Sequence, residues 1–387
     1  MSELATSVWN VGEIPYIFKT LKTPSNGSGL PDFLSFKLSV DPSTGTIIQA
    51  YDASVERANK AAYDIGSEIT GVMTDQGIGR EYADDFLGFL QRSLGRDGFK
   101  GLRVLDVGSG TGYLIHRIKQ LGGDVLGVDP GPQFQKSAAR YGVDVIQDFF
   151  PSARIKGKFD LIMSYALLEH VTNPAGILRD MHRSLADDGM IATAVPNDEP
   201  CIVAGDISPF FHEHWNYYSE PTLRATLASV GLSSDTTLSD FGGLIYSAAR
   251  RAPTKERVPQ PETRNKMEAI MKICHSKMEM IRKILQECKE RRESVGVYVP
   301  WRIVNYLSLI QKKTKLPEIN FFDDDPNVKG TYLPGFAIPI QDRQELLRDP
   351  PSLLLIMSPS FGNKIKGELE GRLRATRIIT FNDLFGI

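Results

Sequence analysis

A short apolar run that ends in a glycine-rich turn is the feature that most limits what this 387-residue chain can fold into. Residues 104–107 form the run, and the turn Gly108-Ser109-Gly110-Thr111-Gly112 follows before a helix-like stretch. Glycines at such a turn let the backbone approach a ligand and place free amides at the start of a helix. The pattern predicts a strand, a ligand-binding turn and a helix.

Strand-like and helix-like stretches alternate from residue 96 to about residue 250. The predicted strands cover residues 104–107, 124–128, 143–146, 159–163 and 190–194. The predicted helices cover residues 113–121, 134–141 and 175–185. Such alternation is typical of a mostly parallel sheet with helices on both faces and right-handed crossovers. We therefore expect a doubly wound α/β domain.

Polar and aromatic side chains follow the predicted strands at the points where the strands end. The second, third and fourth strands lead into Asp129 and Pro130, Asp148 and Phe149, and Ser164 and Tyr165. Ligands of open α/β sheets bind outside the carboxyl ends of the strands. We expect these groups to line one cleft, with Asp129 on a ribose and Asp148 beside an adenine. Alternatively, Asp129 caps the helix that follows, since aspartate is a good N-cap.

Residues 102–196 resemble a class I S-adenosylmethionine-dependent methyltransferase. The similarity rests on Leu105-Asp106-Val107-Gly108-Ser109-Gly110-Thr111-Gly112, Gly127-Val128-Asp129-Pro130, Leu167-Leu168-Glu169-His170-Val171, Leu185-Ala186-Asp187-Asp188-Gly189 and Val195-Pro196-Asn197. It implies an α/β, Rossmann-like methyltransferase domain with S-adenosylmethionine as the cofactor. The residues implied to bind that cofactor are Asp106, Gly108, Ser109, Gly110, Gly112, Asp129, Pro130, Asp148, Phe149, Ser164 and Tyr165.

Two alternatives stay open beside the methyltransferase. A nicotinamide-dependent oxidoreductase uses a related glycine turn and an acidic residue like Asp129. The last glycine of that fingerprint would fall at position 113, which is Tyr113, so the fingerprint is incomplete. A non-catalytic binding or scaffold protein would retain the fold without turnover, and the intact glycine turn with Asp129 argues against it.

A narrower resemblance runs from about residue 40 to the end of the chain. Residues 211–219 are similar to the His-Glu-His segment of sugar C-methyltransferases, and residues 322–335 look like that family's C-terminal motif. The resemblance implies a carbon or hydroxyl of a nucleotide-linked sugar, or of a related metabolite, as the methyl acceptor. Two features depart from the family. No cysteine precedes Cys201, where the family has an N-terminal zinc site, and Phe211 replaces the usual tyrosine.

The candidate residues for acid–base catalysis in that segment are His214, His212 and Glu213. Imidazole titrates near neutrality, and a base is needed to take a proton from a hydroxyl or from a carbon beside a ketone. We predict His214 as the general base, with His212 or Glu213 assisting. On a strand, residues 212 and 214 would share one face, whereas on a helix they would diverge. Alternatively, both histidines are structural, and for His170 we expect a structural or helix-capping role.

Charge and cysteine content argue against several classes of protein. The formal net charge of −2, from 45 Lys+Arg and 47 Asp+Glu, differs from the basic surface of a nucleic-acid binder. We find no apolar stretch of ~18 residues for a membrane span and no secretory signal in residues 1–16. The three cysteines form no Cys-x-x-Cys pair, so we expect a reduced, cytoplasmic protein. His212 and His214 alone make a poor metal site, so we predict no metal.

The pattern along the chain predicts four parts. They are a partly helical substrate region at 1–95, the cofactor-binding domain at 96–255, a connecting helix at 256–292 and a smaller α/β domain at 293–387. The first part is expected to be loop-rich before helices at 53–69 and 79–94. In the last part we predict strands at 294–299, 318–322 and 353–357 and helices at 302–311, 344–348 and 362–373.

The long helix, predicted over residues 260–292, carries an apolar seam. Its members follow at alternating steps of four and three residues: Met267, Met271, Cys274, Met278, Ile281, Leu285 and Cys288. Such a seam packs on its own chain or joins two copies of a dimer. A monomer and a homodimer both remain open on this pattern.

Overall fold

The computed structural model of the chain describes residues 8–17, 20–24, 29–65, 73–132, 135–252 and 265–386. Three predicted helical stretches lie partly outside the described residues, at positions 66–69, 134 and 260–264. In the described ranges we find no helix that combines the length and the apolar character needed to cross a membrane.

The first 94 residues contain strands as well as helices. The elements are β1 (Trp9–Pro15), β2 (Phe33–Val40), β3 (Ile47–Gln49), α1 (Ala53–Ile65) and α2 (Gly77–Leu94). Both predicted helices are present, but the prediction of a loop-rich start was wrong. In β2, Phe36, Leu38 and Val40 are buried, because every second side chain of a strand points to the same face.

Residues 103–251 build the largest sheet of the molecule, and every strand predicted there is present. Its elements are β4 (Arg103–Val107), α3 (Tyr113–Gln120), β5 (Asp124–Val128), α4 (Gln135–Tyr141), β6 (Val145–Ile146), β7 (Phe159–Tyr165), α5 (Pro174–Ser184), β8 (Leu185–Pro196), α6 (Glu199–Val203), β9 (Asn216–Tyr217), α7 (Glu220–Ala228), β10 (Leu232–Leu238) and β11 (Leu244–Arg251). Strand β9 belongs to a different sheet.

The seven strands lie in the order β10-β11-β8-β7-β4-β5-β6. The neighbours from β8 to β6 pair in parallel, whereas β11 runs antiparallel to both β8 and β10. This topology confirms the predicted α/β, Rossmann-like class. The chain order reverses between β4 and β7, where open α/β sheets form their ligand cleft at the carboxyl ends of the strands.

A long helix and a second parallel sheet complete the chain. They are α8 (Lys266–Glu290), β12 (Val295–Tyr298), α9 (Val304–Gln311), β13 (Ile319–Phe322), β14 (Ile340–Gln341), α10 (Arg343–Arg348), β15 (Leu353–Ile356), α11 (Gly362–Glu370), β16 (Arg377–Thr380) and α12 (Phe381–Phe385). The five strands pair in parallel in the order β14-β13-β12-β15-β16. The smaller C-terminal α/β unit expected from the sequence is therefore present.

The apolar seam of α8 packs within its own chain. Met267, Cys274, Ile281, Leu285 and Cys288 are buried, and they join a core that contains residues of β1, β2 and the second parallel sheet. The intrachain alternative therefore accounts for the seam, and the helix carries no separate argument for a dimer.

The N-terminal strands form a small antiparallel sheet in the order β1-β2-β3-β9. Its last strand, β9, comes from the segment that connects β8 with β10 of the large sheet, and it pairs with β3 through Ile47–Tyr217 and Ile48–Asn216. Because β9 begins two residues after His214, this pairing fixes the histidine segment between the N-terminal sheet and the large sheet.

Candidate active site

The carboxyl ends of β4, β5 and β7 surround a cavity of about 280 Å³. Most of the residues predicted to bind a cofactor line it: Asp106, Gly108, Ser109, Gly110, Asp129, Pro130, Asp148, Phe149 and Tyr165. Gly108 and Gly110 have positive φ angles of 79° and 50°, which favour glycine. A Cβ on Gly110 would meet no atom within 4 Å, so this backbone faces open space that a ligand can approach.

Two of the predicted cofactor residues do not line the cavity. Gly112 has a φ of 76°, and a Cβ there would lie 2.7 Å from Cγ2 of Val143, so this glycine lets the turn pack closely on its neighbours. Ser164 is fully buried in β7, where strand alternation turns its side chain into the interior and leaves Tyr165 at the cavity.

Asp129 lies at the end of β5 and holds the glycine turn in shape. Its Oδ2 accepts the amide of Gly110 at 2.9 Å, and its Oδ1 accepts the amide of Gly131 at 2.8 Å. Burial raises the pKa of Asp129, while these two amides lower it. The Gly131 contact resembles the predicted capping role, and the cavity position leaves the carboxylate available to a ribose.

Asp106 is buried beneath the turn, and its Oδ1 has no hydrogen-bond partner. Burial, and secondly the nearby Asp129, raise the pKa of Asp106 to about 8. A buried carboxyl without a donor is unfavourable unless a ligand supplies one. The ammonium group of S-adenosylmethionine is such a donor, and its positive charge would favour the ionised carboxylate. The cavity therefore fits the implied cofactor.

A wider cleft of about 1080 Å³ opens beside this cavity. The two spaces share a wall made by Tyr165, Ala166 and His170. The cleft is lined further by Phe211 and His214, and by residues at the carboxyl ends of the C-terminal strands: Trp301, Asp325, Asn327, Ser360 and Phe361. We call this space the acceptor cleft.

His214 lines the acceptor cleft, and its imidazole ring centre lies 4.8 Å from that of His170. Burial, and then the neighbouring His170, hold the pKa of His214 well below its usual range. The imidazole is therefore neutral at physiological pH and able to accept a proton. This is the protonation state that a general base requires.

His212 does not reach the acceptor cleft. The residues from 211 to 215 form a turn rather than a strand, so the side chains of residues 212 and 214 diverge. The His212 ring is buried between Tyr16 and Phe36, with Nε2 3.2 Å from the carbonyl oxygen of Leu34. The structure thus places this histidine as an anchor on the N-terminal sheet, which does not support its predicted help to the base.

The backbone of the histidine segment is held by side chains from the N-terminal region. Gln49 donates to the carbonyls of His212 and His214, both at 3.1 Å, and Asn59 donates to that of His212 at 2.8 Å. Glu213 is buried and contributes through its carbonyl, which contacts Nδ1 of His170 at 3.1 Å. Its side chain does not line the acceptor cleft in the described structure.

The sequence predicted only a structural or helix-capping role for His170, which lines both spaces, and it assigned no role to two carboxyl groups, Glu169 and Asp198. The contact to the Glu213 carbonyl places the His170 proton on Nδ1, so Nε2 carries a lone pair. Burial lowers the pKa of His170 to about 4. Glu169 Oε1 lies 3.8 Å from His170 Nε2, and Asp198 Oδ2 lies 3.8 Å from His214 Nδ1. Both carboxyls follow predicted strands, which was an available signal.

Glu169, His170 and His214 form one group that could hold a metal ion, since their ligand atoms lie within 4.8 Å of one another. A tetrahedral zinc ion with bonds of ~2.1 Å would place its ligand atoms only about 3.4 Å apart. The group is too wide for such an ion as it stands. The predicted metal independence remains a prediction.

The chain is similar to known methyltransferases over the part that contains most of the large sheet. Residues 78–236 match the family model described as "Methyltransferase domain". A ubiquinone biosynthesis O-methyltransferase of Xanthomonas oryzae pv. oryzae is 28% identical over 166 residues, which cover 39% of this chain and 69% of the relative. The corresponding protein of Xanthomonas euvesicatoria pv. vesicatoria is 29% identical over 170 residues, with the same coverage of 39% and 69%.

Two solved structures also resemble the chain over part of its length. The Burkholderia thailandensis 1,6-didemethyltoxoflavin-N1-methyltransferase, with S-adenosylhomocysteine bound, is 18% identical with a TM-score of 0.39, covering 54% of this chain and 96% of that one. The magnesium protoporphyrin IX methyltransferase of Synechocystis PCC 6803, with bound SAM, is 18% identical with a TM-score of 0.35, covering 45% and 79%.

Proposed function

We propose that the chain is a class I S-adenosylmethionine-dependent methyltransferase that methylates a small molecule in the acceptor cleft, with His214 as general base; the match of residues 78–236 to the methyltransferase-domain model supports it. The matched family favours a methyltransferase over the nicotinamide-dependent alternative. The observation that carries the proposal is the shared wall: His170 faces both the cofactor cavity and the acceptor cleft, and His214 lies beside it.

S-adenosylmethionine supplies an electrophilic methyl group on a sulfonium, and its transfer is an in-line displacement that depends on alignment. Asp106 offers its free Oδ1 to the ammonium, and Asp129 offers its carboxylate to the ribose. Asp148 and Phe149 form the side of the cavity beside the expected adenine. Phe149 is 66% exposed, which leaves its ring free to cover a base.

His214 removes the proton that would otherwise keep the acceptor unreactive. If the acceptor is a carbon beside a ketone, His214 would take the carbon-bound proton and leave the electron pair of that bond to form the new C–C bond, while the S–CH3 bond of the cofactor would break and S-adenosylhomocysteine would leave. If the acceptor is a hydroxyl, the same imidazole takes the hydroxyl proton. A neutral histidine can serve in both steps, because one ring nitrogen carries a lone pair that can take the proton.

We propose a nucleotide-linked sugar, or a related metabolite, as the acceptor. The acceptor cleft combines aromatic faces, Trp301 and Phe361, with the polar groups of Asp325, Asn327 and Ser360. Aromatic faces suit the flat side of a sugar ring or a base, and polar groups suit its hydroxyls. These residues come from the second parallel sheet, which gives the C-terminal unit a role in holding the part of the acceptor remote from the methyl group.

A phenolic acceptor is a second candidate. The two Xanthomonas relatives are O-methyltransferases of ubiquinone biosynthesis, and Tyr165, Phe211 and Trp301 would surround an aromatic ring in the acceptor cleft. The same His214 would then take a phenol proton. A phenolic acceptor would form an O–C bond, whereas a keto sugar would form a C–C bond and a sugar alcohol an O–C bond.

The proposal is tested with S-adenosylmethionine carrying a labelled methyl group and three acceptors: a nucleotide-linked keto sugar, the same sugar reduced to the alcohol, and a catechol. We expect label in the keto sugar only, with full activity after exhaustive chelation. Labelling of the catechol alone would replace the sugar by the second candidate. Cofactor binding by calorimetry without methylation of any acceptor would contradict the proposed function, and activity restored only by zinc would contradict the metal-free mechanism.

A further inference from the structure

We propose that Asp198 is a positioning residue whose carboxylate holds the Nδ1 edge of His214, so that Nε2 is presented to the acceptor cleft. The inference rests on the proposed role of His214 as the general base. It assigns a function to a buried carboxyl that neither the cofactor cavity nor the acceptor cleft uses directly.

Asp198 Oδ2 and His214 Nδ1 face each other at a distance slightly too long for a hydrogen bond. Asp198 Oδ2 lies 3.8 Å from His214 Nδ1, beyond the usual limit of about 3.2 Å. Both atoms are buried, and both lack any other hydrogen-bond partner. Contacts around a general base often tighten only when substrate binds. A shift of less than about 1 Å would satisfy both groups at once.

Asp198 is not explained by the ordinary role of an aspartate at its place in the chain. It precedes α6 as the N-cap residue, yet its side chain makes no capping hydrogen bond. Asn173, at the same place before α5, does cap its helix by accepting the amide of Gly176 at 2.9 Å. The Asp198 carboxyl therefore turns away from its own helix, and His214 is the group it approaches.

The charged and titratable groups around the pair are consistent with this assignment. His214 faces His170 and Asp198. Burial raises the pKa of Asp198 to about 7, while Arg302 lowers that pKa and Asp206 raises it. Glu169 lies beside His170, so each histidine has its own carboxyl neighbour at 3.8 Å. When His214 takes a proton, its new charge forms next to Asp198, as in other bases oriented by a third group.

The first test reads the His214 ring directly and needs no acceptor. In protein labelled with 15N-histidine, long-range 1H–15N spectra identify which ring nitrogen carries the proton, and His214→Asn assigns the signal. We expect the wild type to show the proton on Nδ1 and Asp198→Ala to lose that preference. Glu199→Gln is the matched control, because Glu199 is adjacent in the chain but pairs with Lys266 at 2.7 Å. An unchanged tautomer in Asp198→Ala would overturn the proposal.

The second test separates positioning from folding, using whichever of the three acceptors is methylated. Asp198→Asn keeps the volume of the side chain and should lower kcat by about 10-fold to 100-fold, part of the ~10²–10⁴-fold that a general base contributes. KM should stay unchanged. In a His214→Asn background the same change should have no further effect, because the two residues act as a unit.

The outcomes distinguish the two hypotheses. Wild-type turnover in His214→Asn contradicts the base, and with it the proposed mechanism. Slow turnover in His214→Asn together with full turnover in Asp198→Asn overturns the positioning role alone. Additive losses in the double variant also overturn it, since they would show that Asp198 acts independently of His214.

Discussion

The cofactor cavity and the acceptor cleft adjoin each other but are built in different ways. The cavity is lined mainly by residues that follow the strands of one sheet, with the glycine turn Gly108–Thr111 forming part of its wall, and by Tyr63 and Met73 from the N-terminal region. The acceptor cleft is formed by side chains from several parts of the chain, including His214 and Phe361, whose positions depend on three sheets packing together. Changes in the cavity should therefore act through backbone shape and cofactor affinity, and changes in the cleft through turnover.

His214→Asn should give the largest effect. It removes the proposed base and should lower turnover by ~10²–10⁴-fold, because a positioned base contributes about that much. The affinity for S-adenosylmethionine should stay nearly unchanged, since His214 lines only the acceptor cleft. Initial rates with the methylated acceptor and calorimetry with the cofactor measure the two quantities. His182→Asn, on α5 and bound to Arg251 at 2.8 Å, is the control. A loss of cofactor affinity as large as the loss of turnover would contradict the separate roles of the cofactor cavity and the acceptor cleft.

Gly112→Ala and Gly110→Ala should separate folding from binding within the glycine turn. At Gly112 the new methyl group combines a positive φ of 76° with a 2.7 Å approach to Val143, and we expect a loss of about 2–5 kcal/mol in unfolding free energy. At Gly110, with φ 50° and no atom within 4 Å, we expect a loss of only about 1–2 kcal/mol. Its methyl group should instead weaken cofactor binding.

Chemical denaturation measures the first effect and calorimetry the second. Equal destabilisation by the two alanines would contradict the packing role that the structure assigns to Gly112.

Asp129→Ala should weaken S-adenosylmethionine binding by about 1–3 kcal/mol, the value of lost hydrogen bonds to a buried acceptor. Part of the loss is expected to come from the turn itself, because Asp129 also accepts the amides of Gly110 and Gly131. Turnover at saturating cofactor should change much less than in His214→Asn. Unchanged affinity in calorimetry would remove Asp129 from the cofactor site.

Asp106 should make the cofactor-free protein less stable as pH rises from 6.5 to 8. Its pKa is raised to about 8 in the fold from an ordinary value of 3.8, so the folded state keeps a proton that the unfolded chain has released. This carboxyl therefore contributes its full stabilisation of the fold below pH ~4, and that contribution is lost as the pH rises through the folded pKa. Asp198 and Glu169, with pKa values raised to about 7 and about 8, act in the same direction.

Asp106→Asn should reduce the loss of unfolding free energy between pH 6.5 and 8 by on the order of 1–2 kcal/mol. The buried His170 and His212 oppose the trend only below their ordinary pKa of 6.5, because their pKa values fall to about 4. Unfolding free energies at several pH values measure the slope. An identical slope in wild type and Asp106→Asn would show that this carboxyl does not titrate as described.

Much of the large sheet was predictable because each strand is a short apolar run followed by turn residues. The strand β5, Asp124–Val128, was predicted to the residue, and β4 to within one. The glycine turn is likewise a local pattern, so its place at the cavity could be inferred without any knowledge of the rest of the chain.

The N-terminal sheet and the acceptor cleft were less predictable, for two physical reasons. In β1 the residues Gly12 and Pro15 obscure the strand signal. The two residues of β9 become a strand only by pairing with β3, far away in the chain, through Ile47–Tyr217 and Ile48–Asn216. The divergence of His212 from His214 depends on Gln49 and Asn59 holding their carbonyls. By contrast, apolar and polar residues alternate in the second half of β2, and this pattern could have predicted the strand from the sequence.

The wall of Tyr165, Ala166 and His170 that separates the two spaces has a consequence for the order of events in turnover. Ala166 holds a positive φ of 53°, fixed by its amide donating to Ala194 at 2.9 Å. Any movement of this short segment on binding one ligand alters the surface offered to the other. The cofactor and the acceptor are then thermodynamically linked, and linkage is reciprocal: whatever factor the cofactor adds to acceptor affinity, the acceptor returns to the cofactor.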